Sequence, residues 1–371
     1  MANIFGNVFR IMTFGESHGE AVGVVIEGLP GNFPLDLDLV QKWLDRRRPG
    51  QSSITTPRAE PDRVECLSGL EQGRTLGGPL ALMVRNTNIA STDYADISKV
   101  FRPGHADYTM LAKYGLTAAS GGGRASARET IGRVAAGAVA WQLVKKLHPD
   151  FNILTWVQSV KDIYTLQTRS NGTSDELITH DMIEQSPIRC PDPTTASKML
   201  ELIERTRAKG DTVGGTIRSI IKGIPAGLGE PVFDKLEADL AKAMLSLPAC
   251  KGFEIGSGFA GSQMLGSEHN DVLVKKNSKI STKSNHSGGV QGGISNGEII
   301  SFNVAFKPVS TIFMPQETLD RVGNEITFKP KGGRHDPCVL PRAVPMVEAM
   351  AAIVVADHAL RRRATAPLME S

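Results

Sequence analysis

Three histidines stand in separate short segments made of glycine, small residues and cations: GESHG at 15–19, FRPGHADY at 101–108 and GGRHDPC at 332–338. Between the last two, GGGRASARET at 121–130 runs three glycines into Arg124 and Arg128. Histidine changes charge near neutral pH, and a guanidinium forks onto phosphate or carboxylate. Glycine lets backbone approach a ligand closely. Together these residues describe a site for a small polyanion at which a proton moves. Arg46, Arg47, Arg48, Arg58, Arg102, Arg124, Arg128 and Arg334 all fall in or near glycine-rich turns, where they either meet an anion or are solvated surface charges.

Each segment allows particular chemistry. His18 sits in a tight turn beside Ser17, as a proton donor or as a satisfied surface residue; the strand–GxSxG–helix pattern of a nucleophile elbow is missing. Arg102-Pro103-Gly104 is a rigid then flexible turn that presents Arg102 and His105 to one place, with Asp107 as cap or hydrogen-bond partner. GGGRASARET offers backbone N–H groups, Ser126 and two arginines at a helix start, without the Lys-Ser/Thr of a P-loop. KPVST supplies Lys307, Ser310 and Thr311 for a phosphate or a ring carbonyl. Arg334 and Asp336 bracket His335, either as a structural pair or with Asp336 placed to take a proton from a flat heterocycle. HSGGVQGGISNG at 286–297 is a loose surface loop or a close wall against a planar ligand.

Other chemistries find little support. His18, His105, His269, His286 and His335 lack HxH or HxxxH spacing, and Cys66, Cys190, Cys250 and Cys338 form no zinc motif or disulfide framework, so no metal is expected. No GxGxxG follows a strand in a βαβ unit, against a Rossmann fold. A net charge of +3 and 5% aromatic residues argue against a nucleic-acid binder. With 40% hydrophobic residues, no signal core and no long uncharged apolar run, the expectation is a soluble, cytoplasmic protein without a membrane partner.

The elements that position these segments follow from periodicity and punctuation. Residues 4–14 and 21–27 predict strands around the GESHG turn, and 36–48 a helix with Leu37, Val40 and Leu44 on one face, ended by Pro49-Gly50. Strands are expected at 63–68 and 79–85, then a long helix at 125–147. Arginines at that helix start oppose its dipole unless an anion is shared there. Residues 160–212 read as a peripheral insert without chemistry, with a helix at 195–209. A strand at 213–223, a helix at 231–246, a strand at 298–306 and a final helix at 345–362 complete the chain. VVIEGLPG (24–31) and SIIKGIPA (219–226) are both strand, Gly-apolar-Pro turn, then helix, by chance or because two related halves share one core.

GESHGEAVGVVIEGLP (15–30), RRRPG (46–50), FRPGHADYT (101–109), GGGRASARET, SNHSGGVQGGISNG (284–297), KPVST (307–311) and GRHDPCVLPRAVPMVEAM (333–350) resemble, in order and over nearly the whole chain, the motifs of the chorismate synthases. The resemblance implies an α+β fold: a single domain over 1–371, a β-α-β sandwich of two antiparallel sheets around a helical centre, with internal pseudo-symmetry, assembled as a homotetramer. It implies an anti-1,4-elimination of phosphate from 5-enolpyruvylshikimate 3-phosphate, requiring reduced FMN without net redox change. The flavin is reduced either by the protein itself with NADPH or by a separate flavin reductase, with NADPH then an indirect reductant; the absence of a nicotinamide fingerprint favours the second.

Carried over by motif, His18 protonates the departing phosphate, His105 sets the protonation of the reduced flavin and Asp336 helps it take the ring proton. Ser17, Arg47, Arg58, Arg102 and Arg128 match substrate or anion contacts. Arg124, Ala125, Ser126, Ala249, Gly292, Gly293, Lys307, Pro308, Val309, Ser310, Thr311 and Arg334 match flavin contacts. Two positions depart from the pattern: Ser53 stands where relatives often have arginine, and Ala125 where they often have serine. A phosphohydrolase using His18 or His105 would explain the cations but not the glycine-rich loop. An RNA-binding module would lack a stacking platform.

Overall fold

The computed structural model describes residues 3–50, 60–87, 99–116, 122–165, 175–276, 278–330 and 336–366. Two five-stranded antiparallel sheets enclose a layer of helices. The first sheet holds β1 (Ile4–Phe5), β2 (Arg10–Gly15), β3 (Ala21–Glu27), β4 (Val64–Ser68) and β5 (Leu80–Arg85), in the order β1-β2-β3-β5-β4. The second holds β6 (Asn152–Val160), β7 (Ile163–Tyr164), β8 (Gly215–Lys222), β9 (Cys250–Ile255) and β10 (Ile300–Phe306), in the order β9-β10-β8-β6-β7.

Among the described residues six helices have eight residues or more: α1 (Leu37–Arg47), α2 (Asp107–Tyr114), α3 (Thr130–Leu147), α4 (Pro193–Ala208), α5 (Leu236–Leu245) and α6 (Leu340–Thr365). Helix α3 lies against the first sheet, α6 against the second, and the two pack on each other. Small residues permit the close crossing. A Cβ on Gly137 of α3 would come within 2.4 Å of Ala349 on α6, and one on Gly132 within 2.6 Å of the Gly23 carbonyl on β3. The most apolar 18-residue window of α6 has a mean hydropathy of 1.5, enough by composition to cross a membrane, yet 94% of it is buried inside the protein.

Helix α1 begins where Asp36 accepts the backbone N–H groups of Asp38 and Leu39 at 2.8 and 3.2 Å. Its buried face is Val40, Trp43, Leu44 and Arg47, the i, i+3, i+4, i+7 stripe of a core-facing helix. The last member of an apolar stripe is therefore a guanidinium. That is how α1 delivers a cation to the interior.

Several expected boundaries move, each for a local reason. The strand expected over 4–14 divides at Gly6 (φ +90°), because Asp357 of α6 accepts the N–H groups of Asn7, Val8 and Phe9. The helix expected from 125 starts at Thr130, after two single 3-10 turns, Gly123–Ala125 and Ala127–Glu129. Ser126 between them is extended (ψ 145°), so Arg124 and Arg128 lie on a kinked approach and not on the α-helix. The glycine-rich stretch at 286–297 contains a hairpin, Val290–Gln291 with Ile294–Ser295, turned by Gly292 and Gly293 at positive φ. Helix α6 starts five residues earlier than expected, with Pro341 in its first turn and Pro345 inside it. In the 160–212 segment, α4 is anchored to the main core by Met199 and Ile203.

Candidate active site

A cavity of about 650 Å³ opens where the 3-10 approach to α3, the end of α1, the loop before α2 and the start of α6 meet. Its deepest wall is cationic. Arg47, 1% exposed, donates to Asp62 Oδ2 (3.2 Å), the Ala127 carbonyl (2.7 Å) and Thr130 Oγ1 (3.2 Å). Arg128 donates to the other oxygen of the same carboxylate (3.0 Å) and also meets Glu60 and Asn86. Asp62 takes a left-handed backbone (φ +43°), a conformation unfavourable for a residue with a Cβ, and aligns two guanidiniums at once. Arg342 of α6 completes the group: its Nη1 donates to Asp336 Oδ2 (2.6 Å) and its Nε to the Arg47 carbonyl (3.4 Å).

Burial, then the neighbouring guanidinium of Arg342, pulls the Arg47 pKa down to about 9, against the opposing pull of Asp62. Arg47 thus remains a cation at neutral pH, held beside the like charge of Arg342. An anion in the cavity would offset that repulsion.

The second unit is built on one carboxylate. Asp107, at the start of α2, accepts from Arg102 Nε (2.8 Å), Arg102 Nη2 (2.7 Å) and the Arg102 backbone N–H (3.1 Å). His105 Nδ1 stands 2.8 Å from Asp107 Oδ1. Gly104 at φ +67° makes the tight turn that folds His105 back onto this group. Burial alone would raise the Asp107 carboxyl, but Arg102 and His105 hold it well below the usual carboxylate range. With Nδ1–H donated to Asp107, Nε2 is the ring atom left for chemistry.

A lysine side adjoins the histidine turn. Lys307 Nζ donates to Ser310 Oγ (2.6 Å), and Ser310 Oγ to the Gly104 carbonyl (2.6 Å), which joins KPVST to the histidine turn. Burial and Lys251 lower the Lys307 pKa.

Of the residues expected from the sequence, Arg47, Arg102, His105, Arg124, Ala125, Ser126, Arg128, Ala249, Lys307, Val309, Ser310, Thr311 and Asp336 line this one cavity. Ser17 and His18 do not. Their turn is fastened to the site, since the Gly15 carbonyl accepts from Arg124 (3.2 Å) and the Glu16 carbonyl from Asn86 (3.0 Å), and Ser17 Oγ is 3.0 Å from His18 Nδ1. Pro308, Gly292 and Gly293 also stand outside the lining; Gly293 packs instead against the Glu230 carbonyl and Lys235. Ser53, Arg58, Arg334 and His335 lie outside the described residues.

The lining adds residues that the sequence reading passed over: Arg342, Arg133 and Lys251. Arg342 carried a usable signal, a lone cation among apolar residues at the head of a buried helix. Lys251 and Arg133 carried none beyond proximity to Ala249 and Arg128.

The family description that matches residues 9–360 reads chorismate synthase. The chain belongs to the chorismate synthase family. Chorismate synthase of Prochlorococcus marinus (strain MIT 9515) is 55% identical over 372 residues, covering all of both chains. That of Opitutus terrae is 55% identical over 364 residues, 98% of each. A solved structure titled "Crystal Structure of Chorismate Synthase" superposes with a TM-score of 0.76 at 30% identity, covering 96% of this chain and 93% of that one. The chain is accordingly a carbon–oxygen lyase that forms chorismate, on the route to the aromatic amino acids.

Proposed function

We propose that this cavity holds 5-enolpyruvylshikimate 3-phosphate beside reduced FMN and carries out an anti-1,4-elimination. The C–O bond to phosphate and a ring C–H bond break, a second ring double bond forms, and nothing is oxidised overall. The observation that carries the reading is the convergence of Arg47, Arg102, Arg128 and Arg342 with His105 on one cavity. A substrate with two carboxylates and a phosphate needs that many forked donors.

The residues fit a flavin phosphate and ring system. A volume of about 650 Å³ falls within the range of cofactor sites. Lys307, Ser310, Thr311, Val309, Ala249 and the Arg124–Ser126 turn line its other side. Bound there, the reduced flavin supplies electron density that no side chain offers. Arg47, Arg102 and Arg128, with Arg58 and Ser17, bind and orient the substrate's anions. His105, oriented by Asp107 through Nδ1, would exchange a proton with the bound cofactor through Nε2. His18 gives a proton to the departing phosphate, and Asp336, held by Arg342, assists removal of the ring proton. Gly292, Gly293, Pro308 and Arg334 remain candidate flavin contacts, the two glycines from beyond the cavity wall.

The finer reading extends to assembly. In the matching strand–Gly-apolar-Pro–helix units the turn opens with Gly28 (φ +84°) and Gly223 (φ +73°), each directly after the central strand of its sheet, which supports internal pseudo-symmetry. The homotetramer rests on the family resemblance; exposed Phe233, Phe259 and Ile280 (89, 81 and 79%) are apolar surface that assembly could cover. A cytoplasmic enzyme, served by a separate reductase that draws on NADPH, completes the proposal.

The test is anaerobic release of phosphate and chorismate with chemically reduced and with oxidised FMN. Turnover only with reduced flavin is expected. Phosphate release indifferent to flavin would replace the lyase with a hydrolase. His105→Ala and His18→Ala should each fold and lose ~10²–10⁴-fold in turnover; a variant at near-full rate would remove that histidine from the mechanism.

A further inference from the structure

The segment 175–212 contributes no residue to the cavity wall, yet one of its side chains reaches the backbone behind it. Arg189 is 6% exposed and sits between the buried Ile188 and Cys190, in a left-handed conformation (φ +58°) that turns it inward. Its Nη2 donates to the Arg46 carbonyl (2.9 Å) and its Nη1 to the Pro341 carbonyl. Glu184 holds its Nε at 3.2 Å. The same Glu184 accepts from Arg46 (2.7 Å), and Arg46 in turn meets Glu348 of α6 (2.6 Å).

The two carbonyls are not arbitrary. In a helix, the Pro341 carbonyl would accept from the N–H of residue 345, but residue 345 is proline and has none. The Arg46 carbonyl belongs to the last turn of α1, where helix carbonyls lack intrahelical donors. One guanidinium fills both gaps. Each carbonyl immediately precedes an arginine of the cavity, Arg47 on α1 and Arg342 on α6, and these two are joined by the bond from Arg342 Nε to the Arg47 carbonyl.

We propose that Arg189 is a positioning residue for the active site, fixing the Arg47 and Arg342 guanidiniums relative to each other by clamping the peptide groups that precede them. This rests on the reading that these arginines bind the substrate's anions. A lysine keeps the charge, but its one nitrogen lacks the rigid planar fork by which two guanidinium nitrogens each reach one carbonyl.

The test is Arg189→Lys, assayed for KM and kcat with 5-enolpyruvylshikimate 3-phosphate and for inorganic phosphate binding by titration calorimetry. A rise in KM and in the phosphate dissociation constant of about tenfold is expected, with kcat little changed, the signature of lost uniform binding. A wild-type KM, or a fall in kcat and melting temperature alone, would overturn the proposal and leave Arg189 a structural residue. Pro345→Ala returns an N–H to position 345 and should recover part of the KM when added to Arg189→Lys; no recovery counts against the clamp. If Arg189→Lys alone does not fold, the double variant is compared with Pro345→Ala by the same two readouts. Glu184→Gln, which leaves both carbonyl bonds, should hold KM within about twofold. Failure of the wild type to turn over the substrate would overturn the lyase reading instead, and phosphate affinity would still decide the role of Arg189.

Discussion

The two cationic sides of the cavity are built differently. On one side Arg47, Arg102 and Arg128 are each buried and bound to carboxylates: Asp62 shared by two of them, Asp107 gripped in a fork by the third. On the other, Lys307 donates to neutral oxygens, Ser310 Oγ and the Pro308 carbonyl, and Lys251 lies close enough to oppose its charge. The arginine side is pre-set in direction as well as in charge, so it can distinguish where a substrate's anions lie. The lysine side offers a compact charge on a flexible stem, which follows a ligand more than it dictates a pose. Orientation costs least at reaction time when it was fixed during folding.

Asp107→Asn should break the arginine side most severely. It leaves Arg102, whose side chain is 6% exposed, without its counter-charge and takes from His105 the acceptor that sets its tautomer. Removing one partner of such a buried pair costs about 3–5 kcal/mol, readable in urea unfolding at pH 7. Turnover should fall by ~10²-fold or more, as for loss of a general acid–base group. An active variant with wild-type stability would mean the Asp107 fork is incidental.

The pH dependence follows with a definite sign. Asp107 has its carboxyl depressed in the folded state. Its contribution is therefore complete above the unfolded value of about 4 and is lost as pH falls below that, through the folded value. Wild-type stability should drop more steeply than that of Asp107→Asn between about pH 5 and 3. Parallel curves would show that the carboxylate does not couple to folding.

Next in size is Arg128→Lys. Lysine keeps the charge but cannot satisfy Asp62, Glu60 and Asn86 together. Substrate KM should rise by about tenfold or more, consistent with one charge-assisted hydrogen bond lost, and more than it does for Lys307→Arg. Equal effects on both sides would erase the contrast between them.

How far this contrast was readable beforehand depends on the kind of information each residue needs. Arg102 and His105 were legible because Pro103 and Gly104 announce a turn that folds both onto Asp107, all within six residues. Arg47 was legible as a cation near a turn, and the buried stripe Val40-Trp43-Leu44-Arg47 follows from helical spacing. Asp62 was not, since its role comes from a left-handed backbone and from two arginines 15 and 66 positions away. The start of α3 was misplaced because nothing in GGGRASARET marks Ser126 as extended. The sheet order, the α3–α6 crossing and the clamp at Arg189 are all long-range pairings, which periodicity cannot report. Gly292 and Gly293, read as part of a loose loop or of a close wall against a planar ligand, turn a hairpin, a local pairing that glycine by itself does not announce.

The smallest expected effects belong to the lysine side and test whether it is as adaptable as its bonding suggests. Lys307→Gln should weaken anion affinity by only about two- to fivefold, the scale of a partly solvated charge contact, with kcat nearly unchanged. Lys251→Gln removes the like charge that helps press the Lys307 pKa down. Lys307 should then keep its proton to higher pH, so phosphate binding by this variant should persist further into the alkaline range than in the wild type. The opposite shift, or a loss as large as that of Arg128→Lys, would show that Lys251 and Lys307 act as a fixed pair, and the cavity would then have two directional sides instead of one.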